Sequence, residues 1–77
     1  MNQIPLTNLS EGQEAEIVSV AGGRMAAKRL ADLGLVSGTR IKILRKAIWR
    51  GPIEIEIKGS KLVLGRGLAA KILVKLL

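Results

Sequence analysis

Strict alternation over Ile53-Glu54-Ile55-Glu56-Ile57-Lys58 is the clearest pattern in the chain. Three isoleucines fall on one side of an extended backbone, with Glu54, Glu56 and Lys58 on the other, which predicts a half-buried strand over 53–58. Gly59-Ser60 follows as a two-residue hairpin connection, expected to be a type II′ turn. Lys61–Leu64 is then the returning strand. Upstream, Glu14–Val20 is rich in β-branched residues and predicts a first strand, ended by Ala21-Gly22-Gly23. Arg40–Ala47 alternates again, with Ile41 and Ile43 on one side and Lys42 on the other. Ile72–Leu76 reads as the closing strand.

The period changes between Arg24 and Leu33. Ala26, Leu30 and Leu33 recur at helical spacing and define a core-facing stripe, while Arg24, Lys28 and Asp32 share another face. Gly34 supplies a left-handed helix stop, with Leu35 placed to pack back on the last turn. The remaining segments are connections. Ile4–Leu9 is an irregular or extended lead-in, because Pro5 bars a helix through Ile4. Ser10–Gln13, Val36–Thr39, Ile48–Pro52 and Gly65–Gly67 are turns or loops by their Gly, Pro and Ser content. Leu68–Lys71 has room for one short helical turn. The expected architecture is therefore mainly β: about five short strands, one helix after the first strand and a helical turn before the last. Curling such strands into a small barrel hides most of the edges a flat meander would expose. With 77 residues and no linker or repeat, residues 1–77 form one domain.

Composition narrows the chemistry. The chain has no Cys, His, Tyr or Phe. Disulfides, thiolate metal sites and every imidazole acid, base or ligand are excluded. Ser10, Ser19, Ser37 and Ser60 have no base in prospect, and most of them occupy turns. The pairs Glu14/Glu16 and Glu54/Glu56 match solvated strand faces better than acid–base dyads. The only metal ligands on offer are six scattered carboxylates, and Lys58 on the face of Glu54 and Glu56 works against a cation. No catalytic residue, metal site or cofactor is expected. No small-molecule substrate is expected either. Met1-Asn2-Gln3 does not begin like a secretion signal, and no apolar run reaches the length of a membrane span.

The formal charge of +7 points to an anionic partner. Gly22-Gly23-Arg24 at the helix entry, and more weakly Gly65-Arg66-Gly67, have the makings of an anion cradle. Neither fits a phosphate-loop or dinucleotide fingerprint, and a tight turn accounts for both. Nucleic acid is the rival class, since small barrels bind single strands by stacking bases over a basic groove. Trp49 is the sole aromatic side chain, so a stacking platform is missing and a nucleic-acid partner is disfavoured. Protein docking remains. Trp49 and Arg50 lie in a Gly-Pro loop, and these two residue types are enriched at interface hot spots. A Trp folded over the barrel end as a plug would read the same way. The candidate partner-binding residues are Arg24, Lys28 and Arg29 on the helix with Trp49 and Arg50 in the loop.

Several runs, in order, resemble one family. Arg29-Leu30-Ala31-Asp32-Leu33-Gly34-Leu35 followed by Ser37-Gly38-Thr39 is similar to the hallmark of FeoA proteins, with Ser37 standing where that hallmark has Pro. Gly51–Ile55 with Gly59-Ser60 resembles their central hairpin, and Leu62–Ile72 their C-terminal signature. Leu6–Gly12 resembles their lead-in. The loop Ala47–Pro52 departs from the usual Ala-Pro-x-Gly-Asp-Pro. The resemblance implies an SH3-like barrel and a non-enzymatic role in ferrous iron uptake. It implies docking on the cytoplasmic side of FeoB, a membrane GTPase transporter, with recruitment to the inner face of the membrane. Docking of that kind could alter nucleotide turnover or transporter assembly. The same domain type also serves as the C-terminal module of iron-dependent repressors.

Overall fold

The computed structural model describes residues 3–77. Strands β1 (Ile4–Pro5), β2 (Glu14–Val20), β3 (Arg40–Lys46), β4 (Ile53–Ile57), β5 (Ser60–Leu64) and β6 (Ile72–Leu76) form one antiparallel sheet in the order β1-β6-β2-β3-β4-β5. Helix α1 (Gly23–Asp32) links β2 to β3, and the single turn α2 (Arg66–Ala69) precedes β6. The sheet curls round a core made only of aliphatic side chains, with β1 and β5 as its two edges. Register shifts between Ile17 and Ser19 in β2, and between Ile43 and Arg45 in β3, supply the local bends that curling requires. The mainly β, SH3-like architecture expected from the sequence is the one observed.

Three local expectations change. The lead-in contributes a sixth strand and a 3-10 turn (Leu6–Asn8). Pro5 is tolerated because β1 is an edge strand. Leu6 and Leu9 in this lead-in are fully buried. Burying such a side chain is worth about 1.5–3 kcal/mol, so the segment is part of the core. Second, the β4–β5 turn is Lys58-Gly59, with Ile57 paired to Ser60 and φ of 47° and 80° at the two central residues. Positive φ at both positions makes it type I′, not II′, and moves Lys58 off the strand face. Third, Leu33 is 40% exposed, because it is the helix C-cap residue and not part of the core stripe.

The stop of α1 follows from local chemistry. The Leu35 N–H donates to the Leu30 carbonyl at 2.8 Å and the Gly34 N–H to the Ala31 carbonyl at 2.9 Å. Gly34 sits at φ 88°, and this pair of bonds is a Schellman closure. It turns Leu35 into the core, where it is 1% exposed. The Thr39 hydroxyl donates to the Gly34 carbonyl at 3.3 Å and tethers the connection to β3.

Candidate functional site

All five sequence-derived candidates, Arg24, Lys28, Arg29, Trp49 and Arg50, are exposed, but the fold does not bring them together. Strand β3 starts at Arg40, opposite Glu16. It ends at Lys46, opposite Ile53. Helix α1 closes the barrel end at which β3 begins: Lys71, just before β6, packs its stem against Gly22, and Gly34 lies against Ile57 at the end of β4. The 47–52 loop stands at the other end. There the Gly12 N–H donates to the Ile43 carbonyl at 2.7 Å, and the Glu11 carboxylate accepts the Lys46 N–H at 3.0 Å. A seven-residue strand separates the two surfaces, roughly 20 Å of rise.

The α1 surface is mixed in character. Arg24, Lys28 and Arg29 have no ion pair among the described residues. Met25, 81% exposed, heads a row with Arg29 and Leu33 at four-residue spacing. Sequence reading passed over Met25 and gave Leu33 to the core. Met and Arg are residue types favoured at interface centres, and this row joins both to an exposed leucine. Gly22 and Gly23, at φ 94° and 86°, turn the chain into the helix. A Cβ on Gly22 would stand 2.8 Å from the Lys71 Cδ, a flexible stem that can move aside, so the left-handed turn is what explains glycine there.

The loop surface is a projection. The Ala47 N–H donates to the Pro52 carbonyl at 3.1 Å and closes a tight loop. Trp49 and Arg50 both lie in the left-handed region, at φ 62° and 63°. Gly51 is required by close approach, since a Cβ there would meet the Ala47 Cβ at 2.6 Å. The loop holds Ile48 79% and Trp49 93% exposed. Trp49 therefore does not plug the barrel.

The outer face of the sheet explains where the charge goes. Glu16 lies between Arg40 and Lys75, Glu14 beside Lys42, Glu56 between Lys42 and Lys61, and Glu54 beside Arg45. One of these contacts closes to an ion pair, Lys75–Glu16 at 3.9 Å, and Lys61 reaches diagonally to Glu54 at 3.5 Å. The groups that balance Glu54 and Glu56 are thus Arg45, Lys42 and Lys61, where the sequence suggested Lys58. Lys46 is also structural. Its ammonium donates to the Thr7 and Leu9 carbonyls, each at 2.8 Å. Away from these groups remain Arg24, Lys28, Arg29, Arg50, Lys58, Arg66 and Lys71, against Asp32 and Glu11. Most of the net positive charge therefore lies off the sheet face.

Among the described residues, no three acidic side chains converge in a way that would hold a metal ion. A shallow open depression of about 490 Å³ is lined by Gln13, Glu14, Arg40, Leu76 and Leu77. It pairs one carboxylate with one guanidinium and offers no nucleophile. No helix in the described residues is long and apolar enough to cross a membrane.

The model of the FeoA domain matches residues 4–76. The chain belongs to the FeoA family. A provisionally named Fe(2+) transport protein A of Methanocaldococcus jannaschii is 38% identical over 71 residues, covering 92% of this chain and 84% of the relative. A fusion of Fe(2+) transport protein A with the Fe(2+) transporter FeoB, from Porphyromonas gingivalis, is 36% identical over 72 residues. That match takes in 94% of this FeoA chain but 8% of the fusion. The crystal structure of an iron uptake regulatory protein, FeoA, superposes with a TM-score of 0.89 at 31% identity over the full length of both chains. A manganese-dependent transcriptional repressor shares the FeoA fold, with a TM-score of 0.91 at 20% identity, and this chain spans 38% of it.

Proposed function

We propose that this FeoA protein is a non-enzymatic accessory module of ferrous iron uptake that docks on the cytoplasmic side of a FeoB-type GTPase transporter. The supporting observation is the Porphyromonas gingivalis fusion, in which a segment like this chain is joined to the Fe(2+) transporter FeoB in one polypeptide. Fusion holds two partners at a high effective concentration, which favours pairs that work in contact. We assign the contact to the α1 surface, where Arg24, Lys28 and Arg29 surround Met25 and border Leu33. Unpaired cations there would meet an acidic patch, and Met25 would fill an apolar recess beside it.

The test is a titration of the purified protein against the cytoplasmic GTPase domain of its own transporter at low and raised salt, with single-stranded RNA as competitor. Saturable binding that resists RNA and weakens about tenfold in Arg29→Glu and Met25→Ala supports the assignment. Binding unchanged in both variants would refute the α1 contact. No binding to the GTPase domain, with RNA bound and released by salt, would refute the docking role itself.

A further inference from the structure

The loop at the opposite end of the barrel has a different character from α1. Ile48 and Trp49 form a convex tip, 79% and 93% exposed. The run 47–53 contains no acidic residue, and Arg50 follows Trp49 directly. Arg45 lies at the base of the loop. A protein pocket for Trp normally meets an apolar surround that excludes water, whereas the base of this tip is polar, with Arg45 beside Glu54 and the Glu11 carboxylate on the Lys46 N–H. Trp between an aliphatic residue and Arg50 is instead the composition that settles at a lipid headgroup boundary. The ring lodges among the headgroups while the Arg50 guanidinium stays with the phosphates. Arg50 supplies the local attraction to an anionic leaflet, since the cations of α1 lie roughly 20 Å away, beyond about one Debye length.

We propose that the Ile48-Trp49-Arg50 loop is a membrane-contact element, inserting Ile48 and Trp49 at the headgroup level of an anionic bilayer. One apolar tip is a weak anchor, so the contact is reversible and requires the charge as its second component. With the tip in the bilayer, α1 faces away from the membrane and is free for a protein partner. The lipid contact does not depend on that partner and is tested without it.

Trp49 is the only Trp in a chain with no Tyr, so its fluorescence reports on this loop alone. The full chain is mixed with vesicles of phosphatidylcholine, or of phosphatidylcholine with phosphatidylglycerol, and followed by emission and co-sedimentation. The expected result is a blue shift and sedimentation with the anionic vesicles, quenching by brominated acyl chains, and affinity about tenfold or more lower with neutral vesicles or raised salt. Trp49→Ala and Ile48→Ala should each lower vesicle affinity about tenfold or more with an unchanged circular dichroism spectrum, as expected for side chains this exposed. Sedimentation without a blue shift, or undiminished in Trp49→Ala, would mean adsorption by charge alone and overturn the proposal. A blue shift seen only with the transporter's cytoplasmic domain, and never with vesicles, would overturn it in favour of a protein contact.

Discussion

Replacing Lys46 by Met should destabilise the protein far more than its position near a strand end suggests. The Lys46 ammonium donates to the carbonyls of Thr7 and Leu9, each at 2.8 Å, and is partly shielded from water. These two bonds hold the lead-in against the end of β3, and the lead-in carries the fully buried Leu6 and Leu9. A hydrogen bond to a charged group contributes about 1.5–3 kcal/mol net. Partial burial lets water replace some of that, so two bonds are taken together as about 2–3 kcal/mol. Met keeps the stem and its packing and removes only the ammonium. A domain of this size has total stability on the order of 4–12 kcal/mol, so the loss is a large share. Urea unfolding followed by circular dichroism is the assay, since Trp49 is too exposed to report on the core. With a slope of about 1 kcal/mol per molar urea, the midpoint should fall by about 2 M or more. Lys61→Met is the control, because Lys61 is 63% exposed and its pair with Glu54 spans 3.5 Å. An exposed pair of this kind contributes less than about 1 kcal/mol. If the two variants unfolded within about 0.5 M of each other, the clamp would be refuted.

Other perturbations separate core from surface and geometry from chemistry. Leu9→Ala should cost about 2–5 kcal/mol, enough to leave a substantial unfolded population, while Leu33→Ala should cost under about 1 kcal/mol, both read from urea midpoints. Gly34→Ala meets nothing closer than the Ile57 Cδ1 at 3.7 Å, so its cost is the left-handed backbone alone, about 1 kcal/mol by the same assay. Gly51→Ala forces a methyl to within 2.6 Å of the Ala47 Cβ. It should cost about 1–3 kcal/mol and, by reshaping the loop, alter the Trp49 emission spectrum. Arg50→Gly removes about 1–2 kcal/mol of left-handed strain and adds about 0.5–1 kcal/mol of unfolded-state entropy, so thermal unfolding should show a small net stabilisation.

Sequence by itself determined the parts of this protein that depend on near neighbours. The alternation of Ile53, Ile55 and Ile57, the helical spacing of Ala26 and Leu30, and the stop at Gly34-Leu35 each involve residues within one or two turns of chain. Local sterics and burial settle such features wherever they occur. The absence of His and Cys likewise bounded the chemistry before any fold was known. Tertiary structure alone decided the rest. Lys46 reads as one more cation until strand register sets its ammonium over Thr7 and Leu9, some forty positions back. Leu33 matches the core stripe, but the helix ends there and leaves it at the rim. The lead-in is too short and irregular to show a period, and its burial depends on β6, at the far end of the chain. Finally, Arg29 and Trp49 sit on adjacent segments in sequence yet occupy opposite ends of the barrel. Only the direction and pairing of β3 carry that information, and pairing is a long-range property with no local signature.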